Sequence, residues 1–100
     1  MNTQANNYVN KALLLLDRGD VEGAQASLRS AIDLADTDGS PVILVRALVI
    51  LGDSLHAEGH VEEGRVLLKR ALTIDLGDRE EVVDYELQRA RELLGDQGND

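Results

Sequence analysis

Cysteine, tryptophan and phenylalanine are missing from this 100-residue chain, proline occurs once, at Pro41, and Tyr8 and Tyr85 are its only aromatics. Without cysteine there is neither a disulfide nor a thiolate metal site, although that absence does not decide the compartment. Without large rings, a core has to be assembled from Leu, Val, Ile and Ala, a composition that favours helices over a sheet. Cationic residues are scarce as well: ten against nineteen acidic ones, for a formal charge of −9. Such a surface repels phosphate backbones and anionic bilayers, so neither nucleic acid nor a membrane is an expected partner. Long apolar runs are also absent. LLLL at 13–16 and ALVIL at 47–51 are too short to span a bilayer, and MNTQANNYVNK at the start lacks the basic-then-apolar pattern of a secretion signal. A single cytoplasmic domain over residues 1–94 is expected. The start at Met1 and the polar ending GDQGND read as those of a complete chain with a flexible, frayed tail over 95–100.

What the chain does have is regular punctuation. Gly19-Asp20, Asp38-Gly39-Ser40-Pro41, Gly59-His60 and Gly77-Asp78 separate stretches of helical apolar periodicity. Four turns imply five helices, at about 4–17, 21–36, 41–58, 61–76 and 79–94. Ser40 before Pro41 reads as an N-cap with proline in the first helical position, where its missing N–H costs nothing. Asp78 with Glu81 reads as a capping box.

The chain also repeats itself. Residues 12–35 laid over 52–75 give six identities at one offset of forty: Leu15/Leu55, Gly19/Gly59, Val21/Val61, Glu22/Glu62, Leu28/Leu68 and Ala31/Ala71. Each pair has a turn or packing reason. The glycines end one helix in a left-handed conformation, the valines begin the next, and the Leu and Ala pairs face a partner helix. Small residues recur at Ala12/Gly52 and Ala24/Gly64, where the two helices of a hairpin can approach closely. The unit is a helix, a tight turn and a second helix, used twice.

In these residues the chain resembles the tetratricopeptide repeat. Leu48, Leu51-Gly52 and Leu55 stand at the spacing of that family's first-helix pattern, with Leu replacing both aromatics, and Gly64, Leu68 and Ala71 at that of its second helix. The earlier copy offers Tyr8, Lys11-Ala12, Leu15, then Ala24, Leu28 and Ala31. Asp36 and Leu76 replace the closing proline, and the forty-residue period exceeds the family's usual ~34, in the manner of longer bacterial repeats. The resemblance covers residues 5–76. It implies an all-α fold of tandem antiparallel helix hairpins in a right-handed solenoid, with repeat one at about 5–36 and repeat two at about 41–76. The helix at about 79–94 departs from the pattern at Tyr85, Glu86 and Arg89. Its apolar stripe of Val83, Leu87, Ala90 and Leu94 beside polar Glu80, Asp84, Glu86, Arg91 and Glu92 reads as a capping helix for the array.

Two short motifs invite chemistry and do not sustain it. HAEGH at 56–60 sets His56 and His60 about Glu58, similar to half of a zinc deaminase signature and to the His pair of zinc proteases. The rest is missing: there is no Cys, Ala57 rather than a glutamate follows His56, and a turn at Gly59 puts the two histidines on different elements. The other copy reads LDRGD there. His60 is expected to cap the helix beginning at Val61, with Glu63 reaching back to it. Arg18-Gly19-Asp20 is the adhesion tripeptide, but helix-end cation, turn glycine and N-cap aspartate account for all three. No Ser-His-Asp set or phosphate-cradling loop occurs, so no catalysis, cofactor or metal is expected.

Binding is left. The resemblance implies a concave face carrying Asn6, Val9, Leu13 and Asp17, then Arg46, Val49, Asp53 and His56, with Val83 and Leu87 added by the capping helix. Val9, Leu13, Val49, Val83 and Leu87 would make an apolar floor, Leu13 reading equally well as core. Arg46 would be the lone strong anion donor, and His56 would make binding sensitive to mild acid. Asn6 and Arg46 are too few to grip a terminal carboxylate. The expected partner is another protein's helical or extended apolar segment, the chain serving as an adaptor, co-chaperone or regulator. The alternative is a homodimer that buries the same face.

Overall fold

The computed structural model describes residues 3–98. Five helices, α1 (Thr3–Asp17), α2 (Val21–Asp38), α3 (Pro41–Ala57), α4 (Val61–Thr73) and α5 (Asp84–Gly98), follow one another, with a 3-10 turn at Glu80–Val83 leading into α5. Among the described residues there is no strand. α1 packs on α2 and α3 on α4 as antiparallel hairpins, α2 also packs on α3, and α5 lies against both α3 and α4. The slab is 19 Å thick, the depth of two helix layers at ~10 Å each. None of these helices is long and apolar enough to cross a membrane.

The forty-residue offset reappears in the hydrogen bonds. At the first turn the N–H of Asp20 donates to Leu15 O at 2.8 Å, and at the matching turn the N–H of His60 donates to Leu55 O at 2.9 Å. Gly19 N–H to Leu16 O, at 3.0 Å, is matched by Gly59 N–H to His56 O at 3.1 Å. These bonds close each helix only if the glycine turns left-handed, and Gly19 and Gly59 have φ of 82° and 92°.

The hairpins differ in how tightly they close. Ala12 and Ala24 are fully buried in the first, so it holds a methyl at both positions. In the second, a Cβ on Gly64 would stand 2.7 Å from the carbonyl oxygen of Gly52, and one on Gly52 would stand 2.8 Å from Leu68 Cγ. The backbones of α3 and α4 therefore approach more closely than side chains permit. Leu28 and Leu68, forty apart, fill the equivalent places beneath the two turns and are buried. Ser27, the one buried polar side chain among the described residues, donates to Tyr8 O at 2.8 Å and ties α2 to α1.

Several local expectations are corrected. α2 runs two residues past 36, until Gly39 at φ 67° stops it and Ser40 N–H donates back to Ala35 O at 2.9 Å. α4 stops at Thr73, short of 76, because Ile74 turns extended, Asp75 Oδ1 takes the Gly77 N–H at 3.0 Å and Leu76 drops into the core. The Asp78–Glu81 capping box does not form. Arg79 holds the N-cap of the 3-10 turn without a side-chain bond. Ser40 and His60 occupy N-cap positions but make no side-chain cap bond, whereas Asp20 Oδ1 accepts from Gly23 N–H at 3.0 Å. Glu63, expected to reach back to His60, instead meets Arg29 of α2 at 3.1 Å. A second bridge, Arg70 to Asp36 at 2.6 Å, joins the same two helices. Of the expected tail, 95–98 continue α5, and Asn99 and Asp100 lie outside the described residues.

The α3–α4 contact gives a direct test. Gly64→Ala should lower stability by about 1–3 kcal/mol through overpacking. Gly95→Ala, where a Cβ meets nothing within 4 Å, should leave the thermal midpoint unchanged or raise it by removing a flexible residue from a helix. Thermal unfolding followed by circular dichroism reads both, and an unshifted Gly64→Ala midpoint would disprove the close approach.

Candidate functional site

The helices that alternate along the chain, α1, α3 and α5, share one face of the slab, and α3 is the strut between the other two. Its inner faces are consumed by packing: Leu44, Val45, Leu48, Leu51 and Leu55 are all buried. The strip that remains, Arg46, Val49, Ile50, Asp53, Ser54 and Ala57, forms the bed of a groove of about 620 Å³. Leu13 and Leu16 of α1 with Val21 of α2 make one bank, and Tyr85, Glu86 and Arg89 of α5 make the other.

The banks are chemically unlike. The first is apolar, with Leu13 40% exposed. The second is joined to the bed by ion pairs. Arg89 Nε donates to Asp53 Oδ2 at 3.0 Å and its Nη2 to Oδ1 at 3.2 Å, a two-pronged bond, while Arg46 Nε donates to Glu86 Oε2 at 3.3 Å. Hydrogen bonding to Asp53, reinforced by its charge, holds the Arg89 guanidinium above its ordinary value. At the far end Gln25 of α2 donates its amide to Ser54 Oγ at 3.0 Å and to Glu58 Oε1 at 2.9 Å, so the end of the bed is hydrogen-bonded to the first hairpin. Tyr85 stands at the mouth, 79% exposed.

Of the residues expected on this face, Leu13, Arg46, Val49 and Asp53 are brought together. Val9, Val83 and Leu87 are not groove residues: all three are buried in the core. Val9 lies on the α1 stripe Ala5, Val9, Ala12, and Val83, the last residue of the 3-10 turn, leads into the α5 stripe Leu87, Ala90, Leu93. Asn6, Asp17 and His56 do not line the groove either. His56 is half-buried near the end of α3, and its backbone N is 3.3 Å from where a Gly64 Cβ would stand. Arg46 is not a waiting anion donor, because Glu86 already holds it.

Sequence reasoning missed the whole α5 bank. Tyr85, Glu86 and Arg89, the residues that break the repeat pattern, are the ones that face the groove. A signal was present: opposite charges on the third and fifth helices, Arg46 with Glu86 and Asp53 with Arg89, fall in the same order along both. Among the described residues no group of three or more His, Asp or Glu is placed to hold a metal ion.

Comparison with known proteins agrees with the first hairpin. Residues 5–38, which span α1 and α2, match the family model of the tetratricopeptide repeat. No curated protein and no solved structure shows a significant match to the chain.

The Asp53–Arg89 pair is more than a third exposed on both sides, at 37% and 39%. Pairs of that kind contribute about 0.2–1 kcal/mol. Asp53→Asn should therefore shift urea unfolding by no more than this, and the difference from the unaltered chain should shrink in ~1 M salt. A loss above about 2 kcal/mol would mean that the pair holds α5 in place rather than dressing the groove.

Proposed function

We infer, for a chain whose residues 5–38 match the tetratricopeptide repeat family, whose repeats generally mediate protein–protein interaction, that the groove between α1, α3 and α5 receives a segment of a partner protein. The protein acts by holding that segment, as an adaptor or regulator, and performs no reaction of its own. One observation carries this reading: a groove of about 620 Å³ with a largely apolar bed and bank, in which Leu13, Leu16, Val21 and Ile50 are partly exposed above the buried Val49.

A homodimer closing the same face is the competing reading. Light scattering after size exclusion separates the two, since a monomer leaves the groove open. The substitution that reports on the groove must spare the core. Val49 is only 2% exposed, so a charge there would disturb folding, whereas Leu13 can accept one. Leu13→Glu is expected to keep the helical spectrum and melting midpoint within a few degrees of the unaltered chain and to weaken binding of an apolar segment at least about tenfold, ~1.4 kcal/mol or more. Unchanged binding would move the site elsewhere.

A further inference from the structure

Beside the groove lies a second, smaller depression that shares Tyr85 and Arg89 with it and adds Asp84, Gln88 and Glu92 of α5. Over the two together five carboxylates face two guanidiniums, and both guanidiniums are already held by this chain's own acids. Arg46 is paired with Glu86, and Arg89 with Asp53 and, at 3.7 Å, Glu92. Among the described residues the Lys and Arg ion pairs involve neither Asp84 nor Glu58, and Glu58 accepts from the neutral amide of Gln25. The uncompensated charge at both the mouth and the far end is negative. The exposed ring of Tyr85, beside Asp84, adds a face that attracts ammonium and guanidinium groups.

Resting on the reading above, we propose that the segment this groove takes is a cationic amphipathic helix: an apolar stripe laid on Leu13, Leu16 and Ile50, with Lys or Arg residues beside it reaching Tyr85, Asp84 and Glu92. The same charges argue against a second copy as the occupant. The chain carries nineteen acidic residues against ten basic ones, and a copy would bring carboxylates to carboxylates. An acidic partner segment is disfavoured for the same reason.

The test uses the full chain and two labelled peptides of about eighteen residues, five turns of helix, with one leucine stripe and either lysine or glutamate elsewhere. Anisotropy titration is expected to show the lysine peptide binding at least about tenfold more tightly than the glutamate peptide, with affinity falling roughly tenfold between about 0.05 and 0.5 M salt. Asp84→Lys combined with Glu92→Lys, both exposed, should remove most of that preference. The salt series on the unaltered chain keeps the test independent of whether this variant folds. Leu13→Glu separates groove binding from diffuse attraction, because it adds negative charge yet should weaken the lysine peptide. Equal binding of the two peptides, weakened alike by Leu13→Glu, would overturn the cationic partner and leave the groove standing. Lysine-peptide binding strengthened by Leu13→Glu would mean diffuse charge attraction and overturn both. A stable dimer dissociated by Leu13→Glu would also overturn both, in favour of self-association.

Discussion

A methyl group on Gly64 would sit 2.7 Å from the carbonyl oxygen of Gly52, and this contact governs how near α4 can come to α3. A chain with no phenylalanine or tryptophan lacks the side chains that hold helices apart at a wide spacing and still fill the gap. Bringing backbones together at glycine and alanine is the other way to reach interior packing density, and the protein uses it in both hairpins. Leu68 then closes over Gly52 from α4, as Leu28 packs from α2 in the first hairpin, and the aliphatic core is continuous from Ala5 to Leu93.

Because α3 spends one side on α4, another on α1 and α2 and a third on α5, what remains of it is a narrow strip. Packing has exhausted its leucines, so the strip holds a valine, an isoleucine, an alanine and three polar residues. α5 covers its outer edge without closing the groove, since the buried stripe of α5 points inward and Tyr85, Glu86 and Arg89 are left along the bank. On the opposite layer α2 and α4 are bridged by Arg29–Glu63 and Asp36–Arg70, pairs that are about half exposed and add little energy while favouring one register.

The hairpins were legible in the sequence because their determinants are local: a glycine that must turn left-handed, an aspartate three residues before the N–H it caps, small residues at helical spacing. Non-local choices were harder. Which of several apolar residues on α1 turns inward depends on where α2 and α3 stand, so Val9 read as groove floor although it is core, and Leu16 was overlooked although it lines the bank. The fifth helix was legible as a cap because its stripe is regular. Its outward residues looked like noise in the repeat pattern, since a family pattern records packing positions and is silent about the side chains that face a ligand. Caps at Ser40, His60 and Asp78 were over-read for the opposite reason: the residue types permit a bond that the backbone there does not ask for.

The two ion pairs on the bank settle what a partner would have to give up. A lone arginine at 31% exposure would lose hydration when covered and would need an acid from the partner to compensate. Arg46 and Arg89 bring their own acids, so the inner bank is polar in shape but neutral in charge, and covering it strips water from matched pairs. The unmatched carboxylates lie further out, at Asp84 beside the mouth and Glu58 at the far end, where water still reaches them. Charges so placed would act at distance on the approach and orientation of the proposed segment, and the apolar bed between them would hold it. On the proposed reading, attraction would fall to the carboxylates at the two ends of the groove and retention to the apolar residues between them.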